Sequence, residues 1–157
     1  MKYLGRLAVY LAIFLLTFSV GYAVLLRFVP VTVTPLKVLR WFENLPDEGV
    51  TVDSRWERLR GINMSMVRAV MTSEDNNFLV HRGFDWEAID KALEYNRAGK
   101  RMRGASTITQ QTAKNVFCLP SRTWLRKGIE AYYTVLIETF WGKRRIMEVY
   151  LNVIETG

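Results

Sequence analysis

The stretch from Leu7 to Leu26, a 20-residue run without a charged side chain, constrains this chain more than any other feature. Coiled as a helix at about 1.5 Å per residue, it reaches across a hydrocarbon layer of roughly 30 Å. A cleaved leader has an apolar stretch of about 7–15 residues and ends in a small-residue cleavage site. Here Leu26 instead runs into Arg27-Phe28-Val29-Pro30. A buried core helix is the other alternative, and the length favours an uncleaved transmembrane anchor within residues 1–29. Lys2 and Arg6 favour a cytoplasmic amino terminus, with Arg27, Lys37 and Arg40 beyond the run pulling the other way.

The formal charge is +7, with 22 basic and 15 acidic residues. Setting aside Lys2, Arg6 and Arg27 leaves 19 basic residues against the same 15 acidic ones, so the part outside the anchor is only mildly basic. Its charge is uneven. Arg97, Lys100, Arg101 and Arg103 stand together without an acid, and Lys114, Arg122, Arg126, Lys127, Lys143, Arg144 and Arg145 outnumber Glu130, Glu138 and Glu148. An anionic partner fits this pattern. Cys118 is the one cysteine and reads as a small apolar residue, and His81 is the one histidine, which argues against an ordinary zinc site.

Beyond the anchor, Pro30 and Pro35 flank Val31-Thr32-Val33-Thr34 as an extended connector, and Asn44 to Gly49 reads as a turn, so residues 30–50 link the anchor to a domain over 51–157. Ile62, Met66, Val67 and Val70 fall at helical spacing and predict a helix ending near Glu74, where the helix dipole disfavours a carboxylate charge. Asp85 can cap a helix carrying Trp86, Ile89, Ala92 and Leu93, running to Arg97 before Gly99. Thr107 and Gln110 match a capping box, predicting a helix over Ser106 to Phe117. Ser121 is expected to cap the next one, whose apolar face runs from Trp124 to Phe140 and tolerates Gly128. After Gly142 a last helix carries Ile146, Val149 and Tyr150. No segment of the domain alternates with period two, so the domain should be all or mostly α.

The segment Ser73-Glu74-Asp75-Asn76-Asn77-Phe78-Leu79-Val80-His81-Arg82-Gly83 packs acidic, amide, aromatic and imidazole groups into eleven residues. Glu74 is the leading candidate for chemistry, with Glu130 as a second carboxylate. There is no G-x-S-x-G, S-x-x-K, H-E-x-x-H, P-loop or dinucleotide fingerprint, which removes support for those reaction classes. Paired carboxylates suggest sugar chemistry. Cleaving a sugar from an alcohol needs an acid beside the bond. A sugar diphosphate carries a leaving group that is already a stable anion, so fixed cations can replace the acid and one base suffices. Lys114, Arg122, Arg126 and Lys127 suit the second arrangement. Each residue also has a plain reading: Arg126 and Lys127 can pair with Glu130 along a helix, Glu74 and Asp75 can decorate a solvated turn, and Gln110 and Gln111 can be helix surface.

Together these blocks resemble the peptidoglycan glycosyltransferases of family 51, particularly the monofunctional, membrane-anchored biosynthetic form. Glu74-Asp75-Asn76-Asn77-Phe78 with His81 and Gly83 resembles the first family motif. Gly104-Ala105-Ser106-Thr107-Ile108-Thr109-Gln110-Gln111 with Lys114-Asn115 resembles the second. Arg126-Lys127-Gly128-Ile129-Glu130 is similar to the third, and Lys143 to Asn152 to the fourth. The anchor is the least specific part, and the likeness covers residues 60–157.

The resemblance implies a lysozyme-like helical domain with a small lobe dipping into the membrane. It also implies a bacterial inner-membrane location, single-pass, with the catalytic domain on the periplasmic side. Glu74 would take a proton from the 4-hydroxyl of lipid II, whose oxygen attacks the anomeric carbon of the growing strand and expels undecaprenyl pyrophosphate. Lys114, Arg122, Arg126 and Lys127 match the positions that hold the pyrophosphate, and Glu130 matches the second acidic residue. Asp75, Phe78, His81, Thr107, Gln111 and Asn115 would shape the cleft. The implied partners are lipid II, the nascent glycan strand, the bilayer and other cell-wall synthesis proteins, with no nucleic acid. A divalent cation, Mg2+ or Mn2+, is compatible with acidic and phosphate oxygens, although no coordinating set is visible. Family domains continue past the position of Gly157, so the domain is expected to be C-terminally incomplete. The competing readings are a muramidase using Glu74 as acid and a membrane-anchored basic binding module without activity.

Overall fold

The computed structural model describes residues 2–43, 55–99, 104–121 and 123–154, and these form helices and loops with no strand among them. The order is α1 (Lys2–Leu26), α2 (Pro35–Glu43), α3 (Met64–Glu74), α4 (Trp86–Arg97), α5 (Ile108–Phe117), α6 (Trp124–Phe140) and α7 (Lys143–Val153).

Helix α5 is the centre of the domain. Ile108, Thr109, Gln110, Thr112, Ala113 and Val116 are all buried, so the helix is covered on nearly every side, with α6 and α7 packed against it. Facing it are Ile137 of α6 and Ile146, Val149 and Tyr150 of α7, each fully buried. Three threonines inside this core keep their hydroxyls satisfied. Thr112 and Thr134 donate to the carbonyls of Ile108 and Glu130 four residues back, at 2.8 and 2.7 Å, and Thr109 donates to Glu138 at 3.1 Å.

Helix α1 is long and apolar enough over Tyr3–Leu26 to cross a membrane, with a mean hydropathy of 2.3 in an 18-residue window. Its residues are exposed as far as Phe18, whereas Ala23 and Leu26 are buried against the domain. The last four carbonyls of a helix have no partner within it, and here all four find one. Trp141 Nε1 donates to Ala23 O at 2.7 Å, the amides of Arg27 and Phe28 reach Val24 O and Leu25 O, and Arg145 Nη2 donates to Leu26 O at 2.7 Å. Arg145 also donates to Val29 O and pairs with Glu148, while Ser19 and Tyr132 share a hydrogen bond of 2.7 Å. Helix α1 is therefore docked on α6 and α7 rather than joined through a slack tether.

The expected connector is partly a helix. Val31 to Thr34 is non-helical, and after it Thr34 accepts from the Lys37 amide at 3.3 Å and Pro35 takes the first helical position, where its missing N–H costs nothing, so α2 forms in a part of the connector for which no helix was expected. The residues before it are packed rather than free, with Val31 and Thr34 buried. The turn read at Asn44 to Gly49 lies outside the described residues.

The expected Thr107–Gln110 capping box is present with both of its bonds, Thr107 standing as the cap, so that α5 begins at Ile108 rather than Ser106. Thr123, not Ser121, caps α6, because its Oγ1 is the hydroxyl that reaches the Arg126 amide, at 3.2 Å. Asp85 caps α4 and Gly99 follows that helix at φ +70°, a backbone conformation natural to glycine.

Candidate active site

The acidic segment is stapled to the start of α5. Asp75 follows Glu74, the last residue of α3, and its buried carboxylate accepts from the Ile108 amide at 3.0 Å and from His81 Nε2 at 2.9 Å. His81 Nδ1 accepts from the Gly83 amide at 3.1 Å, so Nδ1 carries no proton and the ring hydrogen sits on Nε2, facing Asp75. Thr107 donates to Gly83 O at 2.7 Å while accepting from the Gln110 amide. Gly83 is required there, since it has φ +87° and an added Cβ would lie 2.9 Å from Thr134 Cγ2. Asp85 closes the loop, accepting from Asn77 at 2.8 Å and from the Ala88 amide at 2.9 Å. These two hydrogen bonds, the amide's first, hold its carboxyl below the usual range.

Glu74 itself is exposed, and its Oε2 accepts from Gln111 Nε2 at 2.9 Å. The Gln111 amide faces Glu74 with its nitrogen because Oε1 is turned toward the Tyr150 hydroxyl, 3.4 Å away. Tyr150 is fully buried, and burial first, then the Glu74 charge, push its phenol up to about 12. Glu74, Gln111, Asp75, Asn77, Asp85, Glu87 and Gly104 to Thr107 line an open cleft of about 540 Å³.

Gln111, Lys114 and Asn115 recur at helical spacing along one stripe of α5, and Cys118, its C-terminal cap, continues the spacing. The last three, with Leu36, Leu119 and Arg126, line a second cavity of about 400 Å³. The cleft around Glu74 and this cationic cavity thus share one helix face. Glu130 is buried between Arg126, which donates to it at 2.8 Å, and Lys127. Three cations, Lys114, Arg126 and Lys127, against one carboxylate leave two positive charges beside the cavity. Burial pushes the Cys118 thiol up, so it stays an apolar wall group at neutral pH.

The structure brings Glu74, Asp75, His81, Thr107 and Gln111 together where the acidic segment meets the start of α5, and it gathers Lys114 and Asn115 of α5 with Arg126 of α6 around the second cavity, Arg126 and Lys127 both pairing with Glu130. Arg122 lies outside the described residues. Phe78, expected to shape the cleft, is 1% exposed and sits in the core with Lys143 Nζ 4.6 Å from its ring centre. The Phe78 amide donates to Asp75 O at 3.1 Å in the turn after α3, which carries the ring into the core rather than onto the lining of the cleft. Asp75 and Thr107 border the cleft but commit their polar atoms to bonds within the protein.

Two of the cations counted toward an anionic partner are half-buried and paired within the protein. Lys143 pairs with Glu138 at 2.5 Å and Arg145 with Glu148 and the end of α1. Lys100, Arg101 and Arg103 lie outside the described residues. Among the described residues no three His, Cys, Asp or Glu side chains gather as metal ligands. Tyr150 was not singled out as a site residue. Its helical spacing with Ile146 and Val149 marked it as core, and nothing local shows that its hydroxyl points at Gln111, 39 residues away.

Residues 43–157 match a family model described as transglycosylase. The chain is 55% identical over 140 residues to a protein of Bdellovibrio bacteriovorus named biosynthetic peptidoglycan transglycosylase, covering 88% of this chain and 56% of the relative. A Caulobacter vibrioides protein of the same name is 54% identical over 134 residues, with 85% and 56% covered. One from Bacteroides thetaiotaomicron is 48% identical over 157 residues, with 99% and 63% covered. The chain thus spans between 56% and 63% of the length of these relatives. Its helices have the lysozyme-like arrangement of the matched domain. On the extent of the family match and the identity to these relatives, the chain belongs to the transglycosylase family.

Proposed function

We propose that the site polymerises lipid II into glycan strands, with Glu74 as general base. The carrying observation is that an exposed carboxylate, held by Gln111 at 2.9 Å, shares one face of α5 with a cavity holding a surplus of positive charge. Such a pairing serves a reaction in which a hydroxyl must lose a proton while a diphosphate departs. Glu74 takes the proton of the acceptor 4-hydroxyl, the oxygen bonds to the anomeric carbon of the growing strand, and the bond from that carbon to the diphosphate oxygen breaks. The electron pair leaves with undecaprenyl pyrophosphate. Lys114, Arg126 and Lys127 balance its charge, and Glu130 holds the latter two in place. Asp75, His81 and Thr107 hold the acidic segment against α5 so that Glu74 faces the cleft.

The anchor supports the same reading. Helix α1 docks beside the end of α5 that carries the cations, Tyr22 lying edge-on to Phe117 at 5.9 Å. A lipid-linked diphosphate held in the bilayer would meet those cations first. On this proposal the domain lies on the periplasmic face of a bacterial inner membrane, where tethering would raise the effective substrate concentration.

The test supplies lipid II in detergent to the purified protein and follows glycan polymer and released lipid diphosphate. Glu74→Gln is expected to lower the rate by about 10²–10⁴-fold, the contribution of a general base. Its melting temperature should stay near that of the wild type, because the side chain is exposed and the amide oxygen can still accept from Gln111. Cleavage of finished glycan without polymerisation, or wild-type turnover by E74Q, would overturn the reading.

A further inference from the structure

We propose that Phe84 and Trp86 form a sugar-stacking platform over which the glycan strand leaves the cleft; this rests on the reading of the cleft as a glycan-polymerising site. Trp86 opens α4 and is 70% exposed. Its ring is not loose on the surface, since it stacks on Phe84 with centroids 5.6 Å apart and planes 28° apart. An exposed aromatic face braced from behind by a second ring is already ordered, so a ligand that covers it loses little conformational entropy. Burial of such a face is favourable for any ligand with an apolar side, and a pyranose ring presents one in its axial C–H groups.

The platform is continuous with the cleft. Trp86, Phe84, Val80 and Arg82 border a hollow of about 440 Å³. Asn77, Asp85 and Glu87 line both this hollow and the cleft that holds Glu74. An apolar face rimmed by amide, carboxylate and guanidinium groups matches a ligand that is apolar on its ring faces and rich in hydroxyls at its edges. A polyanion fits poorly, because Asp85 and Glu87 stand on the shared rim.

The position also suits an exit. The Phe117 end of α5 abuts the anchor through Tyr22, and the cation cavity there includes Leu36 of α2. Ile108, at the other end of this 10-residue helix, is about 14 Å away along its axis. The platform belongs to that far end, where Gly83 accepts from Thr107, three residues before Trp86. A strand whose diphosphate sits near the membrane and whose sugars pass Glu74 would emerge over Trp86.

The experiment has two arms on the purified protein in detergent. In the first, chitohexaose, a β-1,4 oligomer free of lipid and phosphate, is titrated while indole fluorescence or the tryptophan NMR signals are followed. Wild-type binding is expected, weakened about tenfold or more in Trp86→Ala and largely kept in Trp86→Phe, the loss of one stacked ring. In the second, W86A is expected to make shorter glycan strands from lipid II. Its exposure predicts a melting temperature near that of the wild type, which separates a binding defect from unfolding. Chitohexaose binding and strand length both unchanged in W86A, with wild-type protein polymerising, would overturn the platform and leave the polymerase reading standing. Binding of chitohexaose that depends on Trp86 in a protein that cannot polymerise lipid II would support the platform while sinking the polymerase.

Discussion

Asp75 tests whether the acidic segment is braced from within or reserved for substrate. Its side chain is 2% exposed, and its carboxylate takes the Nε2 hydrogen of His81 at 2.9 Å and the Ile108 amide at 3.0 Å, the latter at the positive start of α5. Asp75→Ala strands both donors in the interior. Each unsatisfied buried donor costs about 1–3 kcal/mol, and the lost charge at the helix start adds about 0.3–1 kcal/mol. A loss near 3–4 kcal/mol corresponds to a fall of about 6–16 °C in melting temperature for a chain of this size. Asp75→Asn retains one acceptor but turns an N–H toward the remaining donor, so it recovers less than half of the loss. Thermal unfolding followed by far-ultraviolet circular dichroism in detergent measures these shifts. A cycle of D75A, His81→Ala and the double variant should give a coupling of about 0.5–3 kcal/mol. A D75A protein melting within about 2 °C of wild type, or no coupling to His81, would refute the brace and return Asp75 to a direct role with substrate.

Gly83→Ala should destabilise by about 1–3 kcal/mol, because alanine resists φ +87° and its methyl would press on Thr134; unchanged unfolding would contradict this. Tyr150 predicts a pH dependence. Its folded phenol lies at about 12 against an ordinary 10, so the unfolded chain gives up its proton first. The stability from this group is complete below pH 10 and is lost as pH rises toward 12, by roughly 2–3 kcal/mol in all. Comparing melting temperatures from pH 8 to 11, the alkaline fall should be steeper in wild type than in Tyr150→Phe; parallel curves would deny the shift.

Much of the helical pattern was legible because its signals are local. The Asp85 cap and Gly99 stop of α4, the Thr107–Gln110 box, the end of α3 at Glu74 and the continuity of α6 through Gly128 each depend on atoms within a few residues. The errors were local as well. Ser121 and Thr123 are both capping residues, and only the backbone path decides which hydroxyl reaches the free amide. Helix α2 was hidden by the prolines around the connector, since Pro35 reads equally as a breaker and as a first helical residue.

By itself, the sequence determined an apolar helix of membrane-spanning length, an all-helical domain and the grouping of Glu74 with the cations as one candidate site, because periodicity, caps and residue chemistry are written along the chain, whereas Gln111 joined that site only through the family resemblance. Tertiary packing alone decided what each polar group does. Asp75 and His81 became a brace, Phe78 went into the core, and Lys143 and Arg145 turned to Glu138, Glu148 and the end of α1. The physical reason is that a buried charge or carbonyl must find a partner, and those partners lie as far as 119 residues away in the chain, where no local pattern reaches.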